Sequence, residues 1–177
     1  MYKKAALLIV VALVLGAASA TQAEEGMLGR SELSFAGAWG KISGGGGDVS
    51  ATLFLANYGR FVTPNIEPQL GLFYAKLDLG GGFDLSGWGI MPAVSYNFVS
   101  EERPNIVPYA GVGWYFLDSN DLNLSENGFT AFGGARFFVG GENYATSGHA
   151  FFVEYRHINN IGGADVNAVI AGITNFF

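Results

Sequence analysis

The final segment, Asn167 to Phe177, alternates in steps of two. Phe177, Asn175, Ile173, Ala171, Val169 and Asn167 share one parity, and Phe176, Thr174, Gly172, Ile170 and Ala168 share the other. A period of two describes a strand whose faces meet different surroundings. The pattern is sharper from Trp88 to Phe98. Trp88, Ile90, Pro92, Val94, Tyr96 and Phe98 lie on one face and Gly87, Gly89, Ala93, Ser95 and Asn97 on the other, broken only by Met91. Likewise Ala110, Val112, Trp114 and Phe116 oppose Gly111 and Gly113, and Leu33, Phe35 and Trp39 oppose Glu32, Ser34, Ala36 and Ala38. A water-soluble sandwich packs its bulky faces against each other; bulk on one face with small or polar residues on the other suits a closed sheet in lipid, bulk outward.

Turn residues cut the chain into eight such segments: Gly29–Ile42, Val49–Val62, Glu67–Leu79, Phe83–Phe98, Ile106–Leu117, Phe129–Val139, His149–Ile158 and Val166–Phe177. Between them lie runs rich in Gly, Pro, Asn and Asp, including Gly44–Gly47, Thr63-Pro64-Asn65 and Asp118–Gly128. These residues supply the backbone freedom and local hydrogen bonds of turns. No long stretch keeps a helical period, so the prediction is all-β: a transmembrane antiparallel up-and-down barrel of eight strands. Both faces of the second and third segments are apolar, and the pattern assigns neither. Pro92, which cannot donate to a ladder, is expected to mark a bulge. Trp39, Trp88, Trp114 and Tyr155, with Tyr58 and Tyr74, stand toward segment ends, as an aromatic girdle would. Eight strands enclose an interior just wide enough for side chains, so no open pore is expected.

The first residues change the compartment. Lys3 and Lys4 precede an apolar run from Ala5 to Leu15, and Ala18-Ser19-Ala20 and Thr21-Gln22-Ala23 follow as cleavage sites. This is the form of a secretory signal peptide, 1–23, which leaves residues 24–177 as one barrel domain. Beyond it no apolar stretch of about 18 residues remains to span a bilayer as a helix. Half the residues are hydrophobic, 27 are Gly and 15 are Phe, while only 14% are charged, against about 25% in soluble domains. Without Lys3 and Lys4 the nine basic residues fall to seven against 15 acidic ones, a net charge near −8. That excludes nucleic acid as a partner, since phosphate neutralisation needs clustered Lys and Arg. The absence of Cys excludes disulfides, thiol catalysis and thiolate metal sites.

The eight-strand pattern, Pro108-Tyr109-Ala110-Gly111-Val112-Gly113, Glu154-Tyr155-Arg156 and the terminal aromatic together resemble the small eight-stranded outer-membrane barrels of the OmpA/OmpX type. The resemblance implies residence in the bacterial outer membrane with both termini periplasmic. It also implies outer-membrane lipid and lipopolysaccharide as surroundings, and a barrel assembly machinery that reads Phe177. The residue two before Phe177, often aromatic in those barrels, is Asn175. The implied role is non-enzymatic: envelope structure or surface interaction through extracellular loops. A narrow diffusion channel is an alternative.

Few residues offer chemistry. Glu32, Arg136, Glu154 and Arg156 fall on the lumen face, where two carboxylates and two guanidiniums should pair, because an unpaired buried charge is costly. The stretch Glu154 to Asn160 is similar to the lipid A deacylase barrels, in which a His on the penultimate strand is followed two residues later by a nucleophilic Ser and then by Asn. His157 and Asn160 match, and the Ser position holds Asn159. An amide cannot attack an acyl ester as an activated hydroxyl can. The only carboxylate near enough to partner His157 is Asp165. The resemblance therefore implies such an enzyme, or its inactive descendant, as an alternative only. Asp118, Asn120, Asp121 and Asn123 crowd one loop with oxygens but miss the EF-hand spacing. Gly44–Gly47 lacks the Lys and Ser/Thr of a nucleotide loop. No cofactor and no metal are expected.

Overall fold

Short turns between alternating strands bring neighbours together antiparallel, and the computed structural model contains eight such strands. They are β1 (Ser31–Gly44), β2 (Gly47–Arg60), β3 (Ile66–Asp78), β4 (Asp84–Asn97), β5 (Ile106–Ser119), β6 (Leu124–Val139), β7 (His149–Ile161) and β8 (Ala164–Phe176). The structure describes residues 27–44, 47–78, 84–119, 124–141, 143–161 and 164–177, so the leader read over 1–23 lies outside the described residues. Each strand pairs antiparallel with the next, and β1 pairs with β8, closing the barrel. Closure matters because a ladder group left unmade in hydrocarbon costs several kcal/mol. Among the described residues no helix is long and apolar enough to cross a membrane. The strands, 13 to 16 residues long, exceed the ~9–11 residues of a tilted span.

Residues 27–30, Phe177 and the connections 61–65, 98–105, 140–141 and 143–148 lie at the proximal end of the barrel, and the links between β1 and β2, β3 and β4, β5 and β6, and β7 and β8 fall at the distal end. Two expectations need correction. β6 begins at Leu124, five residues before Phe129, because Leu124 to Gly128 pair with Ser119 to Tyr115 although their polar composition reads as a turn. Pro92 does not bulge its strand. Ile90 pairs with Phe116 and Ala93 with Gly113 in one unbroken register, so Pro92 merely interrupts the ladder to β5. The register shift in the barrel's β7–β8 ladder falls instead between Ile158 and Ile161.

The outer wall carries Phe54, Leu72, Trp88, Val94, Phe151 and Val169, all exposed. The two ambiguous strands now have faces: Leu55 and Asn57 of β2 and Glu67, Gln69 and Phe73 of β3 point in, while Phe54, Tyr58 and Leu72 point out. Several large rings also point inward, and each lies over a glycine directly across the ladder: Phe73 over Gly89, Phe132 over Gly111, Tyr115 over Gly128 and Phe152 over Gly172. A Cβ at any of the four would run into the ring.

On the outer face of β7 and β8, polar pairs bracket an apolar stretch. His149 Nδ1 lies 2.8 Å from Asn175 Oδ1, and His157 Nδ1 lies 3.0 Å from Asn167 Oδ1. Between them stand Phe151, Val153, Val169 and Ile173, all exposed, with Tyr155 at the distal edge donating its hydroxyl to Asn167 at 2.7 Å. Eight residues at ~3.4 Å each, tilted by about 40°, rise roughly 21 Å, close to the ~25 Å apolar band of such barrels. Val153 sits at the middle of that stretch. Val153→Arg is expected to destabilise the barrel in lipid vesicles by about 2–4 kcal/mol, measured by reversible urea unfolding, whereas Ser100→Arg in a proximal connection should leave the midpoint unchanged.

Candidate functional site

Among the described residues, charges are buried together in the lumen, and its side chains stack in layers. At the proximal mouth Met27, Phe61, Val107, Phe138, Ala150 and Phe176 form an apolar stopper, with Val99 and Tyr144 packed against it. The Phe138 and Phe176 rings stack at 5.1 Å. Arg30, just ahead of β1, fastens the stopper. Its Nη1 donates to the carbonyls of Tyr144 and Ala145, both at 2.8 Å, and its Nη2 to that of Ser147 at 2.6 Å. The same guanidinium lies 5.1 Å from the Phe176 ring centre.

Above the stopper sits the first charged layer. Arg136 Nη2 lies 2.7 Å from Glu32 and 3.0 Å from Glu67, all three side chains at most 3% exposed. Arg136 also donates to Asn97. Glu67 Oε2 accepts further bonds from Gln69 Nε2 at 3.0 Å and Ser95 Oγ at 3.1 Å. Gly59 makes this meeting possible, since the Glu67 carboxylate occupies the space a Cβ at that position would take. The second charged layer is a one-to-one pair: Arg156 Nε donates to Glu154 Oε1 at 2.6 Å. Tyr109 joins the layers. Its hydroxyl donates to Glu154 at 3.0 Å while its ring lies 4.4 Å from the Arg136 guanidinium carbon. Arg156 stands 4.5 Å over the Phe132 ring, and its Nη1 points at Met91 Sδ, 3.0 Å away.

The distal lumen is apolar again. Leu55, Phe73, Met91, Tyr115 and Ile158 pack together with Ala36, Leu53 and Val166. They leave a void of only about 10 Å³, with Arg156 as its single charged wall. That is room for about one water.

The four lumen residues marked in the sequence are thus all buried, but they divide between two layers. Glu67, Gln69, Ser95, Asn97 and Tyr109 were missed as members of the network. Ser95 and Asn97 already lay on the small and polar face of their segment. Glu67 and Gln69 shared a parity with Phe73, whose bulk hid the polar face. On the wall, Trp39, Trp88, Trp114 and Tyr155 are exposed on the distal half, where Tyr74 packs on Trp88 at 4.8 Å. Tyr58 lies at the opposite, proximal end beside Ser31. Phe177 is 70% exposed, and its backbone exchanges hydrogen bonds with Ser31.

His157 points outward, held to Asn167 rather than to a carboxylate. Asn159, at the place of the missing nucleophile, accepts from the Phe129 amide at 3.0 Å and its carbonyl accepts from the Tyr115 hydroxyl at 2.9 Å. It ties off the β6–β7 ladder beyond the Thr130–Ile158 pair. The side chain of Asn160 and residues 120–123 of the oxygen-rich loop lie outside the description. Among the described residues no three His, Asp or Glu gather as a metal site.

An exposed apolar wall, a closed ladder and a paired polar interior are the marks of a membrane barrel turned inside out. The chain has the fold of the small eight-stranded outer-membrane barrels. Neisserial surface protein A superposes with a TM-score of 0.62 at 16% identity, over 86% of this chain and 100% of that one. The N-terminal β-barrel domain of Pseudomonas aeruginosa OprF gives 0.53 at 16% identity, over 83% and 97%. Ail, the attachment invasion locus protein of Yersinia pestis, gives 0.53 at 14% identity, over 85% and 100%. No family model matches the chain, and no curated protein matches it in sequence.

The charged layers make unequal demands. Arg156→Met strands the Glu154 carboxylate and should cost about 3–5 kcal/mol, whereas adding Glu154→Gln should recover much of that loss, because no buried charge is left alone. Arg136→Met strands two carboxylates and should be the most damaging of the three. Urea midpoints in vesicles read the order.

Proposed function

We propose that this chain is a non-enzymatic, non-conducting integral protein of the bacterial outer membrane that serves envelope structure and meets partners at its distal rim. The observation that carries the reading is the filled lumen: an apolar stopper, two ion-paired layers and an apolar distal layer around a small void succeed one another among the described residues. An ion crossing it would have to displace the stopper and break buried pairs, so the channel alternative finds little support. The exposed wall fits outer-membrane lipid and the acyl region of lipopolysaccharide as its surroundings. Termini on the periplasmic side agree with a leader at residues 1–23. The exposure of Phe177 supports a barrel assembly factor as a partner. The short distal joins, 45–46, 79–83, 120–123 and 162–163, limit partner contacts to the rim itself.

The deacylase alternative is the weaker one, because Asn159 and Asn167 are engaged in holding strands and the His157 ring. Two measurements test the proposal. Purified barrel in planar bilayers should give no sustained conductance, and a host expressing the chain should show an unchanged lipid A acyl pattern. Steady current from the unaltered protein, or loss of an acyl chain that depends on His157, would replace this reading with the corresponding alternative.

A further inference from the structure

We propose that the distal half of the seam between β1 and β8 is a lateral cleft that takes the acyl chain of a membrane lipid. The first and last strands are laddered through six pairs only, from Glu32–Phe176 to Gly37–Ala171. Beyond Gly37 both strands continue, β1 to Gly44 and β8 back to Ala164, each still paired on its other side to β2 or β7. Extending the seam's register would set Trp39 opposite Val169 and Gly40 opposite Ala168, and neither pair forms. The side chains agree with the ladder. Trp39 and Val169 are 72% and 67% exposed, above every other large apolar side chain on the described strands, as expected when two neighbours fail to cover each other.

The occupant follows from where the cleft opens. Asn167, paired with His157, marks the distal edge of the apolar band, so Ala168 and Val169 lie just within it, Val169 turned outward and Ala168 half-buried, with the fully buried Ile170 as the floor. The described side chains at the cleft, Ala38, Trp39, Ala168 and Val169, carry no charge. Behind them Ala36 and Val166, one from each seam strand, pack on the apolar distal layer of the lumen. At the lip, Tyr155, His157 and Asn167 form a polar cluster at headgroup height. A free strand edge in hydrocarbon is costly unless its amides and carbonyls find partners. A glycerolipid meets both requirements: its ester and hydroxyl groups reach the edge near Asn167 while its chain fills the gap between the strands. The unladdered stretch of β8 from Asn167 to Ile170 spans about 10 Å at ~3.4 Å per residue, so the cleft holds the upper part of one chain.

The test uses the mature protein refolded in phosphatidylcholine–phosphatidylglycerol vesicles doped with a phospholipid bearing a diazirine on its acyl chain. After photolysis, label is expected on the inward-parity residues Ala38 and Ala168 as well as on the outward wall, whereas Leu70 to Tyr74 of β3 should be labelled at outward positions only. A Gly40→Cys/Ala168→Cys pair, in a chain with no other Cys, should on oxidation remove the label at Ala38 and leave that on β3 in place. Label confined to outward positions at the seam, or label that survives the staple, overturns the proposal. Hydrogen exchange of the unsubstituted protein provides the check should the Cys pair not fold. The seam-facing amides of Trp39 and Val169 should exchange much faster than those of Leu33, Phe35 and Gly37. Equal protection would mean a closed seam, and protection that appears only at high protein concentration would mean a second copy in the lipid's place; either result rejects the cleft.

Discussion

An eight-stranded barrel encloses only as much space as its own side chains fill, and the inside of this molecule is arranged around that limit. Four of the large rings that point inward, Phe73, Tyr115, Phe132 and Phe152, have a glycine facing them across the ladder. The ring lies flat along the neighbouring strand instead of projecting across the lumen. That leaves the axis for Arg136, Arg156 and the carboxylates they hold. With no room for bulk water, each charge lies against an opposite one on another side chain, and the guanidinium faces rest on Tyr109 and Phe132.

The same limit explains what could be read from the chain and what could not. Outward faces follow from one strand at a time: Trp88 to Phe98 alternates cleanly because lipid treats every outward position alike. Inward faces do not. Whether Phe73 fits inside depends on Gly89, sixteen residues away and on another strand, so β3 viewed alone has two apolar faces. Glu67 was hidden for the same reason, since its place beside Glu32 exists only because β2 carries Gly59 there. The lumen residues Glu32, Arg136, Glu154 and Arg156 were legible as buried charges, but not their division into a two-to-one and a one-to-one layer, which is a property of register. The early start of β6 was obscured because Ser125, Glu126 and Asn127 have turn composition and pair nonetheless.

The two ends of the barrel are built on different principles. The proximal end is locked by side chains from three separate parts of the chain: Arg30 before the first strand, the turn after β6, and Phe176 at the end of the last. The Phe176 contacts form only once the final strand has arrived, so this part of the stopper and the closing ladder stabilise one another. The distal end relies on paired strand tips with short joins, and its seam strands are the least tied of all neighbours.

The two His–Asn pairs on β7 and β8 carry a consequence beyond marking a boundary. With about 21 Å of apolar wall between them, the barrel is fitted to a hydrocarbon layer thinner than the ~30 Å of an average bilayer, and the bacterial outer membrane is thinner than that average. In a thicker membrane either the lipid must compress around the protein or His149 and His157 must give up contact with water. The energetic cost is fractions of a kcal/mol per Å of mismatch. Wall height thus sets the membrane thickness at which the barrel sits without mismatch.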